Sequence, residues 1–299
     1  MQRDAGVSPN FVRHKARSVV RGLLLPYFLL SVVLSLPKSI VRNIALPQLM
    51  IQIVTGRAYW FVAALIVAET IFLLLLWISR GNGWKLFVLT VLSLGLLPVA
   101  LRFDGGLPWH AENALLAMPF LFAGYMYRRH EEVCNHLCGW PAVLAASMAI
   151  VGVKAFDYIH SLPMCICPVN VGSWTLFFID NAVGIVLTVA VARRLPAVGW
   201  IVWTGAHTLV YYFVCSAVPL AVSMLLNRVG LQYCGMYGNV LFAFAIAYVA
   251  TTFIVWVVYK PLHRLVSIAV AKSRTCPIYC FGLPTPKHPM TSNSQLPTI

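Results

Sequence analysis

Acidic residues are the scarcest component of this sequence: eight Asp and Glu stand against 22 Lys and Arg in 299 residues. Charged residues of both signs make up only 10% of the chain, where soluble globular domains carry about a quarter. So few charges exclude an ordinary soluble domain of this length. The first 17 residues lack the apolar core and small-residue cleavage site of a signal peptide, being polar and basic (Arg3, Arg13, Lys15, Arg17). No short internal repeat is visible, and no connection between apolar runs holds a soluble domain. A continuous basic stripe is also missing. The formal charge of +14 is spread over short clusters between apolar runs, which argues against nucleic acid as a partner.

What is present is apolar. Hydrophobic residues make up 60% of the chain, and the mean hydropathy is +0.82. Apolar runs at approximately 19–36, 59–78, 85–101, 113–127, 140–156, 174–192, 198–224 and 239–259 predict about eight spanning helices, an all-α polytopic transmembrane bundle. The chain divides into three segments: a basic cytoplasmic N-terminal segment 1–17, a transmembrane domain 18–260, and a cytoplasmic tail 261–299. From Lys272 the tail carries five prolines and a Thr/Ser-rich end, which reads as disordered. The connection 37–58 is half apolar and reads as an interfacial or re-entrant segment.

Lys and Arg alternate in density from one connection to the next. With the N-terminus inside, 16 of the 22 fall in inner segments, and five (Lys38, Arg42, Arg57, Arg102, Arg228) fall outside. Lys154 lies within a helix. The asymmetry predicts a multi-pass cell-membrane protein with both termini in the cytoplasm.

Ionisable groups inside apolar runs cost about 2.5–3.5 kcal/mol each on insertion scales, so each requires a reason. Glu69 lies mid-span and is either a carboxylate that orients a base or sugar hydroxyl, or a structural group between helices. Asp180 lies about two turns below the outer face, with Lys154 on the preceding helix as its natural ion-pair partner. His207 crosses a span with Thr204, Tyr211 and Tyr212 nearby. The densest constellation is Leu107-Pro-Trp-His-Ala-Glu-Asn113, the outer entrance of the fourth run, with Arg102 and Asp104 in the same connection. An imidazole, carboxylates and a guanidinium within eleven residues can bind a hydroxylated substrate and supply a base near neutral pH. Glu112 also suits the positive end of a helix. We therefore take His110 and Glu112 as candidate catalytic residues, and Arg102, Trp109, Asn113, Glu69, Asp180 and His207 as candidate substrate-binding residues.

Eight cysteines are present. His130, Cys134, His136 and Cys138 form a run whose irregular spacing does not match a zinc site, and no metal is expected. A bridge from Cys234 to Cys165 or Cys167 is chemically permitted in an oxidising compartment.

The pattern Leu107-Pro-Trp, an acidic residue three positions on at Glu112, Ala114-Leu115 and Phe120-x-x-x-Gly124 resembles the middle helix of the acyltransferase 3 family, in particular its fucose 4-O-acetylase-like branch. Phe11–Tyr27, Trp60–Leu65 and Gly205–Tyr212 agree in order, and the resemblance covers roughly residues 11–260. It implies a membrane O-acyltransferase that moves an acyl group, acetyl above all, from acetyl-CoA or another acyl-CoA to a sugar hydroxyl of a cell-surface glycan or a lipid-linked precursor. Membrane lipid and the glycan would be its partners. An acidic residue occupies the place of Glu112 in related proteins. The pattern Gly-x-x-Ser-Leu-x-x-Tyr is met as Gly205, Thr208, Leu209 and Tyr212, with Cys215 where the family has a His, and His207 falls on a variable position. Family members carry two further helices before Phe11, the first with an Arg and a catalytic His. The resemblance therefore also implies, as the alternative, a truncated inactive member or a transporter-like protein that does not catalyse transfer by itself.

Overall fold

A computed structural model of the chain describes residues 9–42, 45–103, 105–137, 139–215, 217–231 and 237–271. Asp104, Cys138 and Cys234 lie outside the described residues, as does the tail from Lys272. The chain divides into two compact units, Met1–Val257 and Val258–Ile299. The first unit contains every candidate site residue.

Helices account for nearly every described element, as the scarcity of charge demands: in lipid, only internally hydrogen-bonded backbone is tolerated. Six helices among the described residues are long and apolar enough to cross a membrane: Phe11–Ser35, Trp60–Ser79, Gly83–Ala100, Trp140–Ile159, Trp174–Arg194 and Gly238–Val257. Each matches a predicted run. The first begins earlier than its apolar run, because α1 (Pro9–Val19) continues through a π-helical turn at Val20–Leu24 into α2 (Leu25–Arg42). The basic residues from Arg13 to Arg17 are thus on a helix, and α1 packs against α4 (Trp60–Ser79).

The two remaining runs differ from simple spans for separate reasons. The fourth is α7 (Ala111–Arg129), 19 residues or ~28 Å long, whose polar first turn and basic last turn dilute its apolarity. It is the central helix of the unit and needs less lipid-facing surface. Ala114 and Met118 of α7 are fully buried against Ala68, Phe72, Leu75 and Leu76 of α4 and Leu86 of α5 (Gly83–Gly95), while Leu116 packs on Leu97 of α6 (Leu97–Ala100) and on Phe177. The seventh run is broken into α11 (Gly199–Ala206), α12 (Thr208–Val214) and α13 (Val218–Arg228), the last two bent by 47°.

The connection 37–58 holds a short helix, α3 (Leu46–Val54), that packs its Leu49 and Ile53 inward while Tyr27 of α2 donates a 2.9 Å hydrogen bond to the Ile53 carbonyl. After α8 (Glu131–Leu137), α9 (Trp140–Ile159) and α10 (Trp174–Arg194) pack along each other and are joined by an antiparallel hairpin, β1 (Met164–Ile166) with β2 (Val169–Val171). The described elements end with α14 (Tyr237–Ala271). Some polar residues within spans bond locally: the Ser79 and Thr90 hydroxyls donate to carbonyls one turn back.

Candidate functional site

The chain reaches α7 through a short 3₁₀ turn, Pro108–His110, in which two consecutive non-glycine residues are left-handed: Trp109 (φ 58°, ψ 21°) and His110 (φ 52°, ψ 47°). A left-handed L-residue costs roughly 1–2 kcal/mol, and two in a row persist only where the surroundings fix them. Here they do. The Trp109 amide donates to the Thr55 carbonyl at 3.0 Å, and its ring lies 5.4 Å from Tyr27 and 6.0 Å from Phe28, centroid to centroid. Gly56, itself at φ +80°, approaches so closely that a Cβ there would lie 2.8 Å from the Trp109 Cα. Only glycine fits that position, for space and for backbone angle alike.

The left-handed turn delivers His110 to the first turn of α7. Glu112 is 7% exposed and spans two partners: its Oε2 accepts from the Leu107 amide at 3.0 Å, and its Oε1 is 3.3 Å from His110 Nδ1. An ionised Glu112 can only accept, so the contact places a proton on His110 Nδ1, and in the neutral ring Nε2 then carries the lone pair. His110 is partly exposed and lies edge-on to Trp60, ring centroids 6.3 Å apart. Gly106 (φ +77°) leaves room beside Glu112, for a Cβ there would be 3.2 Å from Oε1. Next along the helix, Asn113 is only 6% exposed.

A second strand of the site arrives from far in sequence. The turn of the β1–β2 hairpin, with a cis Cys167–Pro168 bond, brings Cys167 Sγ to 3.9 Å from His110 Nδ1. Burial, then the nearby Glu112 charge and Cys165, push the Cys167 thiol above its ordinary range and keep it neutral. Behind the turn, Tyr59 packs on Phe213 at 4.5 Å, and the Tyr212 hydroxyl accepts from the Phe61 amide at 3.3 Å, joining α12 to the entrance of α4.

The other sequence candidates lie apart from the His110–Glu112 pair. Glu69 lies within electrostatic range of Lys15 on α1. Asp180 forms a 2.6 Å ion pair with Lys154, the pairing anticipated from sequence. His207 joins α11 to α12, with Nδ1 2.7 Å from the Trp203 carbonyl and its ring over Trp203. Arg102 is exposed on the connection leading to the turn, where Arg57 donates to the Gly105 carbonyl at 3.4 Å. Cys165 and Cys167 are free thiols, and Cys234, to which one of them could be bridged in an oxidising compartment, lies outside the described residues. Among the described residues no group of His, Cys, Asp and Glu is arranged to hold a metal ion. Sequence reasoning missed Gly56, Tyr27 and the approach of Cys167 to His110. The one available signal for Cys167 was topological: the alternation of basic residues puts its connection on the same side as Trp109.

A helical bundle of apolar spans with a strained polar turn at one end defines a polytopic membrane protein, with its candidate site at that turn. The family model described as an acyltransferase domain matches residues 5–260; the chain belongs to the acyltransferase 3 family. No curated protein and no solved structure matches.

Proposed function

We propose that the chain is a membrane O-acyltransferase that transfers an acyl group, acetyl in the simplest case, from an acyl-CoA thioester to a sugar hydroxyl of a cell-surface glycan or its lipid-linked precursor. The observation that carries this reading is the His110–Glu112 pair, fixed on a strained turn at the head of the central helix of a chain of this family. With Nδ1–H turned to Glu112, Nε2 is the base that takes the hydroxyl proton as the sugar oxygen attacks the thioester carbonyl, and it returns the proton to the departing thiolate. Glu112 holds the tautomer and favours the imidazolium that forms. Trp109 offers the sugar an apolar face, and Arg102 a donor. The spans packed beneath the turn would limit the water that could otherwise hydrolyse the thioester.

Both termini are assigned to the cytoplasm and the turn to the outer face, supported by the clustering of Arg80, Lys85, Arg128, Arg129, Arg193 and Arg194 away from it. Reporter fusions after Arg129 and Arg194 should read cytoplasm, and one after Asp157 outside; a cytoplasmic reading at Asp157 overturns the assignment. The function is tested by incubating the purified chain in lipid with acetyl-CoA and lipid-linked glycan. Transfer that His110→Ala lowers by about 10²–10⁴ is expected, the range of a general base. No transfer sinks the reading, and transfer indifferent to His110→Ala moves the base elsewhere.

A further inference from the structure

Asn113 occupies the third position of α7, counted from His110 at the helix cap. A residue there ordinarily turns its side chain back to the cap amide and so satisfies one of the unpaired donors at a helix start. That bond is not made: the His110 amide donates instead to the Leu107 carbonyl at 3.1 Å. Neither Nδ2 nor Oδ1 of Asn113 has a hydrogen-bond partner, although the residue is only 6% exposed. A buried amide with all its hydrogen bonds unmade is destabilising, and folded proteins rarely keep one without a use for it.

Its placement states the use. Asn113 lies within the first turn of α7, and helix side chains incline toward the N-terminus, the end at which the cap residue His110 sits. It is the one group of the first turn that offers two neutral N–H donors, and the positive end of α7 adds to their field. Glu112, between them in sequence, is already committed to Leu107 and His110.

We propose that Asn113 is the oxyanion-binding residue of the acyl-transfer reaction. This rests on the acyl-transfer reading above. As the sugar oxygen forms its bond to the thioester carbonyl carbon and its proton passes to His110 Nε2, the carbonyl electron pair moves onto oxygen, and Asn113 Nδ2–H donates to that oxygen. When the carbonyl re-forms, the carbon–sulfur bond breaks and the thiolate takes the proton back from His110. The amide begins and ends the cycle unpaired, so its hydrogen bond acts on the transition state alone, where it lowers the barrier without tightening substrate binding.

Asn113→Leu has a similar volume and removes the unmade hydrogen bonds, and Asn113→Asp keeps the shape while removing both donors. Both variants of the full chain, in lipid, are expected to lose about 10²–10³ in kcat with KM for acetyl-CoA and glycan changed by less than about threefold. Asn113→Leu should melt at or above the wild-type temperature, a combination that a residue with only a structural role does not produce. A kcat within about threefold of wild type in either variant, a loss confined to KM, or a lower melting temperature for Asn113→Leu overturns the assignment. Wild-type turnover with an active Asn113→Leu removes Asn113 and leaves the function standing, whereas a wild-type chain without turnover removes both.

Discussion

At its first turn α7 presents Glu112 and Asn113 behind two left-handed residues, Trp109 and His110, with a buried amide that has no partner. At its last turn the same helix presents Arg128 and Arg129, and every described polar contact there is closed. Glu131 accepts from Arg128 and, at 2.6 Å, from Arg193; Arg129 donates to the Gly81 carbonyl; the Tyr127 hydroxyl donates to Asn135. One end bears strain and unmade hydrogen bonds, and the other carries a network of exposed ion pairs. Strain and unpaired buried polarity destabilise a fold and survive where chemistry needs them, while satisfied surface pairs need no further reason. The comparison sets the end that carries the proposed site apart from an end held by ion pairs.

The sharpest break in that comparison comes from the end that carries the proposed site. Beyond His110→Ala, Glu112→Gln should lower kcat by about 10²–10⁴ with the membrane level unchanged. The glutamine oxygen can still accept from the Leu107 amide, but its N–H₂ then faces His110 Nδ1 and favours the tautomer that carries the proton on Nε2, where the lone pair is required. Equal activity would return Glu112 to a role at the helix start alone, worth about 0.3–1 kcal/mol.

Gly56→Ala is the next largest expected effect, and it tests whether the strained turn must be held where it is. The new Cβ meets backbone at 2.8 Å and its φ of +80° disfavours an L-residue. Destabilisation of about 1–3 kcal/mol should appear as a lower melting temperature. Activity should fall with it, since Trp109 and His110 move as a unit. A fully active, undiminished Gly56→Ala chain would show that the turn has freedom the contact denies.

The class of fold was legible because the bilayer permits so few solutions: six predicted runs are the six long apolar helices, and the constellation from Trp109 to Asn113 is contiguous in sequence and therefore contiguous in space. Three things were not legible. The break of the seventh run at His207 depends on that residue ending one helix and opening the next, which hydropathy does not register. Lys15 comes within electrostatic range of Glu69 because the basic segment from Arg13 is helical, whereas its polarity alone reads as an aqueous lead-in. Cys167 meets His110 across 57 residues, and such a contact is set by how the α9–α10 hairpin docks, to which no local pattern is tied.

The smallest effect is expected at the end held by ion pairs, and it completes the contrast. Hydrogen bonding to Arg193 first, and the charge of Arg128 with it, hold the Glu131 carboxyl below the usual carboxylate range. A carboxylate with a lowered folded value contributes its stabilisation above the unfolded value, near 4.3, and loses it as pH falls through the folded one. Glu131→Gln should therefore melt slightly below wild type at pH 7, with the gap closing on acidification below about pH 4 and shrinking in high salt as exposed pairs are screened. Acyl transfer should be unchanged. Melting curves at pH 7 and pH 3.5 in low and high salt, beside the transfer assay, give all of these readings. A loss of turnover in Glu131→Gln would show that the two ends of α7 are coupled, and that the ion pairs at Arg128 and Arg193 set the geometry of His110 through the length of the helix.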